Sequence, residues 1–187
     1  MESTGRRTFV LVDGENIDAT LGTSLLNRRP QPEERPRWER VTDYAAELWG
    51  QPVTGLFFLN ASSGQLPGTF VQALLAMDYR PVALSGDSDE KVVDVGILRT
   101  LDALRGHPDA DVLLCTHDAD FVEAAAKLQA GGHRVGVVAL REFTSTQYAA
   151  ADIEIHDLEY QVGAFNVSLP RVRIIALDDF DPEQFLR

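Results

Sequence analysis

The sequence predicts an α/β domain built on a parallel sheet with helices on both faces. Three observations lead to this prediction. Short apolar runs rich in β-branched residues recur along the chain, segments with helical apolar spacing lie between them, and the two kinds alternate in the order βαβαβαβαβ. That order requires parallel strands joined by crossovers. The length of 187 residues suits one compact domain, with or without a short extension.

Five apolar runs predict the strands, and polar or glycine residues follow most of them. The predicted strands are Phe9–Val12, Val53–Leu59, Pro81–Leu84, Asp111–Thr116 and Arg134–Leu140. A sixth, shorter element at Ile153–Ile155 predicts an additional edge strand. Four segments between the strands have helical spacing: Val41–Trp49, Phe70–Met77, Lys91–Leu104 and Phe121–Ala130.

Two stretches depart from this alternation. Residues 27–40 contain three prolines and five arginines and have no apolar period, which predicts a basic loop or partly ordered insertion. Residues 160–187 form a C-terminal extension to the predicted domain at 8–159. The extension contains the apolar run Val172–Leu177, which predicts either an extra strand or a tail that docks on a neighbour.

The composition is acidic, with 17 Lys and Arg residues against 29 Asp and Glu residues and a net charge of −12. This balance excludes a protein that coats nucleic acid with a broad basic face. It does not exclude a nucleic-acid enzyme, because carboxylates that hold metal ions also count as negative charge.

The sequence lacks a second cysteine and a long apolar segment, and both features bear on where we expect the protein to be located. Cys115 is the single cysteine, so no internal disulfide pair or cysteine zinc site can form. The apolar runs are too short for a membrane span, which needs roughly 20 residues, and the first one is too short for a signal-peptide core. We therefore expect a cytoplasmic protein with no membrane partner.

Four carboxylates follow the predicted strands or begin the helices after them: Asp13, Asp94, Asp118 and Asp120. Ligands of open parallel sheets bind outside the carboxyl ends of the strands, where the strand order reverses. If the order is 3-2-1-4-5, the first and fourth strands are neighbours, and Asp13 and Asp118 face one crevice. Each acid alone is explained as a turn residue, a helix cap or a first-turn acid. Their coincidence on one rim predicts a site.

Carboxylates that converge in this way repel one another and raise one another's pKa unless a cation is present. A set of hard oxygen ligands without a Cys or His framework suits Mg²⁺ or Mn²⁺. Such ions activate water and stabilise the leaving oxygen in phosphodiester cleavage. The predicted chemistry is therefore metal-dependent phosphoryl transfer to water.

Several of these segments resemble the NYN domain family, a branch of the PIN-like ribonuclease superfamily. The similar segments are Phe9–Asp18, Lys91–Ile97, Asp111–Phe121, Gly131–Leu140 and Ser145–Leu158. The resemblance implies a three-layer α/β/α domain with a parallel sheet of order 3-2-1-4-5 and a metal-dependent endoribonuclease site. The chain departs from the family pattern at His117, which replaces a glycine, and at Thr100, which stands where many relatives have an acid.

The resemblance implies roles for individual residues. One or two Mg²⁺ or Mn²⁺ ions would be held by four catalytic carboxylates, those of Asp13, Asp94, Asp118 and Asp120. Asn16 completes the catalytic set, and Asn16 and Thr116 would orient a carboxylate or a water. The substrate would be a single-stranded or structured RNA segment.

Other residues are predicted to bind that RNA. We expect Lys91 and Thr116 to lie at the substrate. The basic insertion offers Arg28, Arg29 and Arg37 to the backbone, and it offers Trp38 for stacking on a base. An equally open explanation is a solvated loop whose arginines are diluted by glutamates.

Two other functions and an assembly remain open. The first alternative is a catalytically weak or inactive module of this fold that binds RNA or a partner protein, which the acidity and the changes at His117 and Thr100 favour. The second is a phosphatase with Asp13 as nucleophile. An exposed sheet edge or the C-terminal run also allows a homodimer.

Overall fold

The computed structural model describes residues 5–172 and 174–186, and its centre is a six-stranded sheet. The strands are β1 (Arg7–Asp13), β2 (Val53–Asn60), β3 (Tyr79–Leu84), β4 (Ala110–Cys115), β5 (Val135–Ala139) and β6 (Glu154–Asp157). Their order is β3-β2-β1-β4-β5-β6, and every pair is parallel. The α/β class, the parallel sheet with its order and the extra edge strand are thus confirmed.

Six α-helices connect these strands. They are α1 (Gly14–Thr20), α2 (Trp38–Trp49), α3 (Gly68–Ala76), α4 (Val92–Leu104), α5 (Val122–Ala130) and α6 (Thr146–Ala150). The apolar spacing predicted α2 to α5 but neither α1 nor α6, because each of these helices buries only one residue. Among the described helices, none combines the length and the apolarity that crossing a membrane requires.

The sheet separates two apolar cores, as the alternation along β1 shows. Leu11 contributes to the core under α4, α5 and α6, whereas Val10 and Val12 contribute to the core under α1, α2 and α3. Successive strand residues point to opposite faces, so a continuous apolar run is what a sheet covered on both sides needs. The result is the three-layer α/β/α arrangement.

The predicted loop at 27–40 is ordered, which corrects the expectation for its last residues. A short 3₁₀ helix spans Pro32–Glu34, and helix α2 already begins at Trp38. The Trp38 ring packs edge-to-face on Phe57, with 5.4 Å between ring centroids. The composition of the stretch did not indicate that α2 begins at Trp38, because the apolar period of the helix follows directly after the proline-rich and arginine-rich residues.

A buried carboxylate ties the sheet together at the end opposite to the crevice. Asp111, at the start of β4, is fully buried and accepts hydrogen bonds from Arg6 Nε at 3.1 Å, from Gln51 Nε2 at 2.9 Å and from the Arg134 backbone N–H at 2.8 Å. Burial raises the pKa of Asp111, but these hydrogen bonds outweigh it and the pKa lies below its usual value.

The first part of the C-terminal extension packs on the domain. Ala164 and Leu169 are buried, and the Arg171 side chain is only 2 % exposed. Its guanidinium binds both carboxylate oxygens of Asp157, at 2.6 and 2.7 Å, and also pairs with Glu142 and Glu159. One arginine thus anchors the extension to the end of β6.

The predicted run at 172–177 contains no strand among its described residues, and Arg173 lies outside them. Val172 and Ile174 are exposed, and a short 3₁₀ turn follows at Leu177–Asp179. Beyond Arg171, the described apolar side chains of the extension therefore do not contribute to either core.

The Arg171 anchor predicts a dependence of stability on pH. Burial raises the pKa of Asp157 and of Glu142, but the hydrogen bonds and charge of Arg171, together with hydrogen bonds from backbone N–H groups, outweigh it and lower both. A lowered folded pKa contributes stability above the unfolded pKa and loses it as the pH falls through the folded value. We expect wild type to lose free energy of unfolding between about pH 5 and pH 3, and Arg171→Gln to lose less over the same interval.

Urea unfolding at several pH values measures this difference. Arg105→Gln is the control, because the Arg105–Asp102 pair is exposed and contributes at most about 1 kcal/mol. Parallel pH profiles for wild type and Arg171→Gln would contradict the anchor.

Candidate functional site

The site forms where β1 and β4 end side by side. Val12 lies opposite Cys115 in the sheet, so the next residues, Asp13 and Thr116, are neighbours. The Thr116 hydroxyl donates to Asp13 Oδ2 at 3.1 Å and accepts the Asp118 backbone N–H at 3.1 Å. This one hydroxyl therefore links Asp13, the last residue of β1, to Asp118 after β4, at the point where the strand order reverses.

Two glycines let helices approach the strand ends closely. A Cβ on Gly96 would lie 2.3 Å from Leu84 Cδ1, so the glycine lets helix α4 pack against the end of β3 without displacing the Leu84 side chain. Asp94 is the third residue of that helix and is carried to the crevice by the same packing. A Cβ on Gly14 would lie 2.5 Å from Phe57 Cζ, and its absence lets α1 begin directly after Asp13.

Three of the four predicted acids come together. One carboxylate oxygen from each of Asp94, Asp118 and Asp120 lies within 4.8 Å of the other two. Asp118 Oδ1 also accepts the Asp120 backbone N–H at 2.9 Å, so Asp118 caps the turn that follows β4 as well as joining the acidic cluster. Tyr148 fixes the same turn by donating its hydroxyl to the Asp118 carbonyl.

Asp13 lies beside this cluster and is 2 % exposed. Burial raises its pKa to about 6, the charges of Asp94 and Asp118 raise it as well, and the Thr116 hydroxyl acts in the opposite direction. Burial and then Asp118 also raise the pKa of Asp94, against the effect of Lys91, whose Nζ is 4.0 Å from Asp94 Oδ2. The four acids thus form one electrostatically coupled group.

His117 fits between the strands without backbone strain. It does not adopt a positive φ, so the position does not require the glycine of the family pattern. Its Nε2 accepts the Leu140 backbone N–H at 3.0 Å, and both its backbone N–H and its Nδ1 contact Asn16 Oδ1, at 2.8 and 3.2 Å. Burial lowers the pKa of His117 to about 4, so the ring is neutral at pH 7.

Asp13, Asp94 and Asp118 line a cleft that also contains polar residues missing from the predicted set, whereas Asp120 and the fully buried Thr116 are not among its lining residues. Asn16 and Lys91 line it as expected, and Glu15, Asn60 and Glu90 line it as well. Asn60 ends β2 at the same edge of the sheet, and Glu15 follows Asp13 by two positions. The positions of Asn60 and Glu15 at strand ends are the sequence signal for their place in the cleft.

The basic insertion lies mostly in internal contacts. Arg28 forms two hydrogen bonds to Glu34, at 2.6 and 2.7 Å, and the Arg37 backbone N–H donates to the Ala164 carbonyl. Arg28 and the exposed Arg29 line a separate depression beyond the C-terminal end of α1. Trp38 is only 6 % exposed and lies in the core. A buried ring has no free face for a base, which contradicts the predicted stacking role.

Comparison with known proteins assigns the chain to a family. A family model described as the NYN domain matches residues 7–159, most of the chain. The chain belongs to the NYN domain family. This NYN domain places it in the PIN-like nuclease superfamily. No curated protein matches the chain.

A solved structure has the same fold as this NYN domain. It is that of a protein of unknown function from Vibrio parahaemolyticus, with a TM-score of 0.65 and 19 % sequence identity. The match covers 86 % of this chain and 98 % of that one. At this identity the likeness shows the fold.

Two buried aspartates of this NYN domain predict opposite effects on stability. The pKa of Asp13 is raised to about 6, so its ionisation lowers the stability as the pH rises above the unfolded pKa of about 4. We expect Asp13→Asn to increase the free energy of unfolding by about 1–2 kcal/mol at pH 7.5.

The matched variant is Asp111→Asn, at the other end of the sheet. It removes a paired buried charge and is expected to cost about 2–3 kcal/mol. Urea unfolding in a chelator measures both changes. A lower free energy of unfolding in Asp13→Asn would show that charge repulsion within the acidic group does not destabilise the fold.

Proposed function

We propose that the chain is a metal-dependent endoribonuclease that hydrolyses RNA phosphodiester bonds in the acidic cleft. The observation that carries the proposal is the convergence of Asp94, Asp118 and Asp120 within 4.8 Å, beside the buried Asp13. Membership of a family in a nuclease superfamily supports the same class of reaction. The like charges of these acids repel one another, so the cluster lowers the stability unless a cation is bound.

The residues suit one or two Mg²⁺ or Mn²⁺ ions. Both ions prefer carboxylate oxygens, and opposed ligands about 2.1 Å from a shared centre are about 4 Å apart. The three carboxylate oxygens of the cluster lie within 4.8 Å of one another, which is close to that spacing. Burial and repulsion by neighbouring acids raise the pKa values of Asp13 and Asp94. A positive charge in the cleft offsets both effects.

The residues of the cleft have different roles in the proposed reaction. A bound divalent ion supplies a Lewis acid and lowers the pKa of a water. The carboxylates of Asp94, Asp118 and Asp120 hold the charge in place, and Thr116 keeps Asp13 turned toward them through its hydrogen bond. Lys91 is 76 % exposed at the mouth of the cleft and contacts a phosphate of the substrate.

RNA is the proposed partner, and the charge of the chain sets how it binds. A net charge of −12 repels a phosphate backbone. Lys91 lines the cleft, and the exposed Arg29 lines a separate depression, so these two cations lie in different parts of the surface. We therefore expect weak binding that falls with salt and involves a short RNA segment.

A weak or inactive NYN module is the second candidate, and helix α4 supplies the observation that favours it. Thr100 donates its hydroxyl to the Gly96 carbonyl, as helical threonines do, and adds no acid to the cleft. Asp102 pairs with Arg105 on the exposed face and does not replace it. The acidic set is thus one carboxylate smaller than in many relatives.

Substitution of Asp118 tests the proposal. Labelled single-stranded RNA incubated with Mn²⁺ is expected to be cleaved by wild type, and Asp118→Asn should lower the rate by at least about 100-fold, because the substitution removes a ligand charge. Calorimetric titration with Mn²⁺ should show the same loss in affinity.

The matched control is Asp102→Asn, which removes an exposed carboxylate of α4 outside the cleft. It should keep both Mn²⁺ affinity and cleavage within about twofold of wild type. Mn²⁺ binding without cleavage of RNA would favour the module that binds RNA or protein, and absence of Mn²⁺ binding would exclude the proposed chemistry.

A further inference from the structure

His117, the residue after Thr116, holds the Asn16 side chain through the amide oxygen. Asn16 Oδ1 receives the His117 backbone N–H at 2.8 Å and lies 3.2 Å from His117 Nδ1. A backbone N–H can only donate, so the atom that it contacts must be the amide oxygen. This contact fixes which end of the Asn16 amide is oxygen, and the NH₂ group lies at the other end.

A second backbone group fixes the proton on the His117 ring. The Leu140 N–H donates to His117 Nε2 at 3.0 Å, so Nε2 carries no proton. In a ring with a single proton, Nδ1 then carries it and donates to Asn16 Oδ1. The His117 ring therefore accepts a hydrogen bond from Leu140, just after β5, and donates one to Asn16 in helix α1.

These two donors decide what Asn16 can bind. An amide oxygen has two lone pairs, and residue 117 approaches the Asn16 oxygen with two donors, which leaves no lone pair for a cation. Within residues 5–172 and 174–186, no acceptor contacts the Asn16 NH₂ group. Asn16 lines the cleft together with Asp13 and Lys91. Its available end suits the oxygen of an anion.

We infer that His117 is a positioning residue that holds the Asn16 amide with its NH₂ group toward the cleft, where the group donates to a phosphate oxygen of the substrate. The phosphate in this statement rests on the proposed function. Asn16 then recognises the anion and takes no part in holding the metal. A donor at a phosphate oxygen acts most strongly as negative charge develops there, so its loss lowers kcat more than it raises KM.

The position of the ring proton is measured on the wild-type protein without metal or RNA. Nitrogen-15 spectra of the imidazoles should show the His117 proton on Nδ1. His133 is the reference in the same spectrum, because its Nδ1 lies 2.6 Å from the Ala110 carbonyl and must donate. A His117 proton on Nε2 would overturn the inference.

A double-mutant cycle tests the connection to Asn16. His117→Phe is expected to lower kcat for RNA cleavage about tenfold and to change KM by less than about twofold. In an Asn16→Ala background the same change should have no further effect, since the residue through which it acts is gone. Equal losses in both backgrounds would overturn the inference.

Two controls separate positioning from folding and from metal binding. His133→Phe also leaves a buried backbone group unpaired, and its kcat should match wild type. Mn²⁺ affinity should be unchanged in Asn16→Ala, and a loss as large as that of Asp118→Asn would overturn the inference. Absence of RNA cleavage by wild type would overturn the proposed function together with the phosphate contact, whereas the ring proton is decided by the spectra alone.

Discussion

Parallel pairing of β1 with β4 sets Val12 opposite Cys115, and the arrangement of the site depends on this register. The next residues, Asp13 and Thr116, meet where the strand order reverses and no further strand residue follows. A slip of one residue would turn the apolar side chains of β1 to the wrong cores. The buried alternation that stabilises the sheet therefore also places the acids, and no separate interaction is needed to bring β1 and β4 to the cleft.

The same residue type has opposite consequences at the two ends of this sheet. Asp111 is surrounded by donors and its pKa is lowered, whereas Asp13 is buried beside other acids and its pKa is raised. Burial opposes the charge in both places, so the partners decide the sign. One end of the sheet is built for stability, and the other keeps an unfavourable group of charges. Strain of this kind persists where function requires it.

Most of the fold could be predicted from local patterns, but parts that depend on distant contacts could not. The first five strands contain short apolar runs that can be recognised without knowing their neighbours, whereas β6 has Ile155 as its one apolar residue. Helix α1 has only Ile17 as a buried residue, and its packing relies on Phe57 passing over Gly14. Trp38 is adjacent to prolines and arginines in sequence, but Phe57 lies next to it in space. The acids could be predicted because strand ends converge in any parallel sheet, and Asn60 and Glu15 lie at the same strand ends. Glu90 lies in a loop, and its place at the cleft depends on contacts that are distant in sequence.

The residues after β4 suit the two kinds of ligand that the proposed function requires. Thr116 orients carboxylates, whose free oxygens suit a cation, and His117 occupies the oxygen of Asn16, which leaves a donor that suits an anion. In the proposed metal-dependent hydrolysis a phosphodiester and a divalent ion bind side by side, and they need groups of opposite charge preference within one cleft. An amide free to rotate could offer either end. Two donors from His117 hold the amide oxygen of Asn16, so the NH₂ group stays on the side where the proposed anion binds. A glycine at this position has no side chain and could orient the amide only through its backbone N–H.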